Sequence, residues 1–178
     1  AEKKTRLYEN KSDLNSLITN LNETLPLASR TAYAFDNLDL PQVISYFAGL
    51  AMVSSQDHGH KNYFVYRDSN KSGEWAIFPW DTDLSWGRNW IDSSGYFTDT
   101  LYVDNVLNFY NPSQQSKPAN RLYNIIFSAP EFRGMYLRRL RTVMDTVLQS
   151  SATPATNRII EARIREMMDS MDPPAIGT

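Results

Sequence analysis

The sequence predicts a mainly helical α+β fold with one small β-hairpin embedded in it. Apolar residues recur at helical spacing before residue 54 and again after residue 120, and over 63–78 the spacing changes to alternation. A turn-rich hexapeptide sits at the centre of that alternating stretch. At 178 residues the chain is long enough for one domain with a real hydrophobic core, and residues 1–178 are read as one.

Each element follows from its local signals. Ser12 is expected to cap a helix carrying Leu14, Leu17, Ile18 and Leu21, which Asn22 and Pro26 end. Asp39, with Gln42 three residues later, has the form of a capping box, and Pro41 falls in the first turn. Beyond it Val43, Ile44, Phe47, Leu50, Ala51 and Val53 cover most of a helix surface. A helix apolar nearly all round is a buried one. It ends just before Asp57, so a rigid element aims the loop that follows. Residues 63–67 and 74–78 are rich in aromatic and β-branched side chains, and 68–73 has turn composition, which together predict the hairpin.

From 91 to 119 the chain is polar and Tyr-rich, with Pro112 and Pro118, and reads as a long loop holding one short helix around 102–109. A helix over 121–128 stops at Pro130. An amphipathic helix over 131–150 carries Phe132, Tyr136, Leu140, Val143, Met144 and Val147. Thr153-Pro154 opens a last helix with Ile160, Ile164, Met167, Met168 and Met171 on one face, closed by Pro173-Pro174.

Composition removes several function classes. A net charge of −2 gives no reason to expect a nucleic-acid partner. No apolar run approaches the roughly 18 residues that a membrane span requires. With no cysteine, disulfides, thiolate catalysis and Cys-type zinc sites are excluded.

The chemistry concentrates in two segments, Asp57-His-Gly-His-Lys-Asn62 and Phe78-Pro-Trp-Asp81-Thr-Asp83. An Asp-x4-Asn loop followed by a strand-end acid is how protein kinases place a proton-accepting Asp and their magnesium ligands. Asp57 fits the first role; Asn62 and Asp81 fit the second. Magnesium keeps phosphate oxygens and waters, so few side-chain ligands suffice. The same residues also suit a plainer reading, with Asp57 and Asn62 as turn residues after a helix and Asp81 as a cap. What is rarer is the ordered series of buried helix, Asp-x4-Asn, hairpin and acid.

Over roughly 36–149 the chain resembles the spore coat protein H (CotH) kinases, an atypical protein-kinase-like family. The resemblance is carried by 57–68, by Trp75-Ala-Ile-Phe-Pro-Trp-Asp81-Thr-Asp83-Leu-Ser-Trp-Gly87, and by 121–140 with its Pro130-Glu-Phe-Arg-Gly-Met-Tyr136 run. It implies the large lobe of a kinase-like fold, with a catalytic segment over 55–87 and a helical tail over 120–172. It implies ATP with Mg2+ (or Mn2+), and Ser/Thr hydroxyls of a protein as acceptors. Asp57 is then catalytic, Asn62 and Asp81 hold metal, Asp83 is a further metal ligand, and Lys61 and Asn62 face the nucleotide. A secreted or cell-surface location is also implied.

The chain departs from ordinary kinases in several places. Ser55 and Gln56 stand where His and Arg are usual, and Thr82-Asp83 replaces Phe-Gly. Gly59 occupies the position of a phosphate-contacting Lys, for which Lys61 is the substitute. No Gly-rich loop and no strand-borne lysine precede Asp57. The chain opens on Ala1 without an initiator Met or signal peptide, and is read as a fragment that is inactive alone, its small nucleotide-holding lobe lying upstream.

Other readings compete for the same residues. A catalytically silent interaction module of a surface or secreted protein needs no nucleotide. Asp81-Thr-Asp83 after a strand also starts some phosphohydrolases, with the first Asp as nucleophile, but the helical tail offers no later acidic motif on a strand. An Asp-x-Asp pair holding manganese for a sugar transferase rests on two residues alone. Asp68-x-Asn70-x-Ser72-Gly73 starts like a calcium loop, but its twelfth position is Pro79, so a hairpin turn is expected. His58 and His60 read as polar loop residues. Trp80, Trp86, Trp90, Tyr96, Phe97 and Tyr102 are expected to pack, and Arg133, Arg138, Arg139 and Arg141 to form a solvated face.

Overall fold

The computed structural model describes residues 4–55, 62–86, 89–91, 96–98 and 120–171. The chain order is α1 (Ser12–Asn20), α2 (Leu27–Asn37), α3 (Leu40–Met52), β1 (Tyr63–Arg67), β2 (Trp75–Pro79), β3 (Asn89–Ile91), β4 (Tyr96–Thr98), α4 (Arg121–Ser128), α5 (Pro130–Val143) and α6 (Ile159–Met171). This is a mainly helical α+β arrangement. The expected hairpin is antiparallel β1–β2, in the register Tyr63↔Pro79 through Arg67↔Trp75. A second antiparallel pair, β3–β4, in the register Asn89↔Thr98 to Ile91↔Tyr96, overlaps the start of the stretch expected to be a loop from 91 onwards. The short helix expected around 102–109 lies outside the described residues.

Helix α3 is the centre of the core. Leu40, Val43, Ile44, Tyr46, Phe47, Ala48 and Leu50 are all buried, as its all-round apolar surface requires. Phe47 is 1% exposed. Its ring meets Tyr46 at 5.1 Å, Tyr123 at 5.5 Å and Phe127 at 5.9 Å, each edge-on, the geometry that aromatic quadrupoles favour. From α5, Phe132, Tyr136 and Leu140 recur at helical spacing and are buried against the same core. From α4 come Leu122, Tyr123, Ile125 and Ile126. Asn120 caps that helix, its Oδ1 accepting from the amides of Leu122 (3.1 Å) and Tyr123 (3.3 Å). Among the described residues no helix is long and apolar enough to cross a membrane.

The helix ends differ in detail from the expectations. Ser12 is the first helical residue rather than the cap of α1, and its amide donates to Asn10 Oδ1 at 3.0 Å. Helix α2 was not expected, because Leu27–Asn37 mixes small and polar residues and buries only Arg30 and Ala34. Pro130 both stops α4 and opens α5, as its fixed φ and missing donor allow. The helix expected over 131–150 is regular only to Val143. Its last turn, Met144–Leu148, widens to π geometry and ends at Gln149 with φ +57°.

One polar device binds the hairpin to α3. Asp39 Oδ1 accepts from Gln42 N at 3.1 Å, which is half of the expected capping box. The other half is redirected. The Asp39 amide donates to Trp75 O at 2.9 Å, and the Gln42 side chain turns to Ile77 instead of back to Asp39. Leu38 forms a parallel bridge with Trp75 alongside. The outer edge of β2 is thereby paired by the start of α3 rather than by another strand.

Candidate functional site: the open end of the β1–β2 hairpin

The hairpin turn sits at the far end from the site. Asp68 N donates to Glu74 O at 3.0 Å and Gly73 N to Asp68 O at 2.7 Å, with Gly73 at φ +76°. That φ suits glycine, and the stretch is the turn expected of it. At the open end the ladder continues one step beyond the strands, because Trp80 N donates to Asn62 O at 3.0 Å. Asn62 therefore lies across from Trp80, and Asp81 is the next residue. The hairpin expected from the sequence thus puts Asn62 across from the residue that precedes Asp81.

Both residues adopt left-handed backbone, Asn62 at φ +62° and Asp81 at φ +52°. Asn and Asp are the non-glycine residues that tolerate this region best, since their short polar side chains bond locally. Asp81 and Asp83 are both exposed. Between them and α3 the chain is tied down. Leu84 is buried, Ser85 Oγ donates to Thr82 O at 2.7 Å, and Trp86 N donates to Val53 O at 2.6 Å. The segment after β2 thus returns to the C-terminal end of α3. There Ser55 is buried and donates its amide to Leu50 O at 3.0 Å, just before the Asp57 segment. Asp57, Lys61, His58 and His60 lie outside the described residues.

A groove of about 270 Å³ runs between α3 and this segment, lined by Gln42, Ser45, Tyr46, Gly49, Leu50, Val53, Pro79 and Thr82. The Tyr46 hydroxyl is buried and has no hydrogen-bond partner among the described residues. Burial, and secondarily the neighbouring Tyr63, raises its pKa, so it stays protonated through the physiological range. No three His, Cys, Asp or Glu side chains come together among the described residues in a way that holds a metal alone. The pair Asn62 and Asp81 offers one amide and one carboxylate, hard oxygen donors of the kind Mg2+ accepts when phosphate supplies the rest.

The outward face of the hairpin is aromatic. Phe64 and Trp80 meet at 5.3 Å and 66°. Together with Tyr66 and Phe78 they remain 39–60% exposed, where Trp80 and Trp86 were expected to pack. Alternation along 63–67 and 74–78 divides each strand into two faces, but which of them α3 covers is set by tertiary packing. Arg138, Arg139 and Arg141 are solvated on α5 as expected, with Arg141 paired to Asp145 at 2.9 Å. Gln42, which holds β2, was read from the sequence only as part of a cap.

The family model described as CotH kinase protein matches residues 1–173. This chain belongs to the CotH kinase family. It is 27% identical over 148 residues to the inner spore coat protein H of Bacillus subtilis (strain 168), a match covering 77% of this chain and 40% of that protein. The chain thus spans about two fifths of the length of that CotH relative. No solved structure matches it.

Proposed function

We propose that this chain is the large lobe of a protein-kinase-like fold and that the full natural protein transfers phosphate from ATP to Ser/Thr hydroxyls of a protein. One observation supports this reading above others. At the open end of the hairpin Asn62 pairs with Trp80, the residue before Asp81, and the segment after β2 is tied to the C-terminal end of α3 through the Trp86 amide and Val53 O.

In this reading Asp57 orients the acceptor hydroxyl and takes its proton, a role that supplies about 100-fold to 10,000-fold in rate. Asn62 and Asp81 hold Mg2+ or Mn2+, with Asp83 as a further ligand, and Lys61 faces the phosphates. The metal, when bound, neutralises charge that develops on the transferring phosphoryl group. Family membership and the coat name of the relative support a spore-coat or surface location.

The test uses the full natural protein, labelled ATP and a Ser/Thr-containing acceptor. Asp57→Ala and Asp81→Asn are each expected to lower transfer at least about 100-fold with the fold intact by circular dichroism. Transfer at the wild-type rate in either variant refutes the assignment of that residue. The exposed aromatic face and the apolar face of α6 favour a second reading, a silent interaction module. That reading predicts no Mg2+-dependent ATP binding by calorimetry of the full protein, whereas the kinase reading predicts binding that Asp81→Asn weakens.

A further inference from the structure

We infer that Gln42 is the positioning residue of the candidate metal site, acting as a one-residue strand that fixes β2 and through it Asp81. The inference rests on the metal reading of Asp81 above. In an antiparallel pair, alternate residues of one strand turn both their N–H and C=O away from the partner. Ile77 is such a residue: its amide donates to Gln42 Oε1 at 2.9 Å and its carbonyl accepts from Gln42 Nε2. Trp75, two residues earlier, also turns its carbonyl outward, to the Asp39 amide at 2.9 Å. A primary amide is the one side-chain group that carries a donor and an acceptor in the spacing of a peptide unit.

The chemistry of the alternatives explains why this matters. An aliphatic side chain of the same length would leave both Ile77 groups facing a partly buried interface without partners. A carboxylate would satisfy the amide and oppose the carbonyl. Either loss frees the end of the ladder, because only Phe78, Pro79 and Trp80 separate Ile77 from Asp81. The Trp80 amide bond to Asn62 O at 3.0 Å is next in line, and it sets Asn62 opposite the start of the acidic segment. Asp81 holds φ +52°, a conformation that costs energy unless its surroundings impose it. The buried helix α3 is therefore the rigid support, and Gln42 is the coupling.

The experiment compares Gln42→Met with Ser45→Ala in the full natural protein. Ser45 lies on the same helix and lines the same groove, but its Oγ donates to Pro41 O at 2.6 Å and accepts from Arg139 Nε at 3.0 Å, so neither bond holds β2. Amide hydrogen exchange and Mn2+ affinity are measured for both. In Gln42→Met, exchange at Ile77 and Trp80 is expected to quicken at least about tenfold, and Mn2+ affinity to fall about tenfold, as when a partner of a metal ligand is lost. Ser45→Ala should move neither. Unchanged Trp80 protection in Gln42→Met overturns the inference, and so does faster exchange with undiminished Mn2+ affinity. A wild-type protein that takes no Mn2+ removes the metal reading itself, and the Trp80 exchange then decides the coupling alone.

Discussion

Helices α3 and α6 have the same length, 13 residues, and both announce themselves by apolar residues at helical spacing. Their fates are opposite. Helix α3 buries Leu40, Val43, Ile44, Tyr46, Phe47, Ala48 and Leu50, whereas α6 buries nothing. Met168 and Met171 of α6 are 62% and 80% exposed. What holds α6 in place is polar. Gln149 Oε1 accepts from Ile159 N at 2.7 Å, and Arg158 donates to Thr153 O and Ser151 O at 2.8 Å each and to Glu161 at 3.1 Å. Apolar periodicity thus specifies a helix, but burial or capping decides what the helix is tied to. The element that supports the candidate site is the buried one.

The largest expected effect tests the buried side of this contrast. Phe47→Ala removes a ring that packs edge-on against three others, and cavity formation should cost about 3–5 kcal/mol. Urea unfolding should show α3, the hairpin and α5 lost together, in one transition at lower denaturant. A loss below about 1 kcal/mol would mean that α3 is not the centre of the core.

Much of this arrangement was legible in the sequence, for reasons that differ by element. The hairpin followed from period-two alternation around Asp68–Gly73 turn chemistry, and the burial of α3 from apolar residues that cover most of its surface. The pairing of Asn62 with Trp80, next to Asp81, followed from the hairpin itself. Helix α2 was missed because Leu27–Asn37 mixes small and polar residues with its few large apolar ones and buries only Arg30 and Ala34. The role of Gln42 was hidden because a capping box and an edge pairing use the same residue, and only tertiary structure shows which partner its amide takes. The outward aromatics Phe64, Tyr66 and Phe78 were read as strand formers, since propensity reports a pleated strand but not which face is covered.

On the capped side, Arg158→Ala should separate the two helices. It removes two hydrogen bonds that hold the 150–157 connection and one to Glu161 of α6, so α6 amides should lose protection while α3 amides keep theirs. The urea midpoint of the core should shift by less than about 0.5 kcal/mol equivalent, as for surface changes remote from a core. A midpoint shift as large as that of Phe47→Ala would show that α6 is cooperative with the core after all.

The smallest effect is a pH dependence confined to α6. Glu161 lies in the first turn of that helix, and its carboxyl is held below its ordinary value of 4.5, first by a hydrogen bond from its own backbone amide, then by Arg158 and Arg165. A carboxylate whose folded pKa is depressed adds stability above its unfolded pKa and loses it as pH falls through the folded value. The contribution should therefore be complete at neutral pH and disappear in acid below the ordinary Glu range. Other carboxylates titrate over the same interval, so the informative quantity is a difference between wild type and Glu161→Gln. Protection of α6 amides should favour wild type slightly at about pH 7 and be equal in the two proteins near pH 2. Added salt should shrink the neutral-pH difference, because the group is exposed and its partners are screened. A difference that persists unchanged into acid would show that the neutral carboxyl and the amide differ in hydrogen bonding and that the charge of Glu161 is not what matters, leaving Gln149 and Arg158 as the caps of α6.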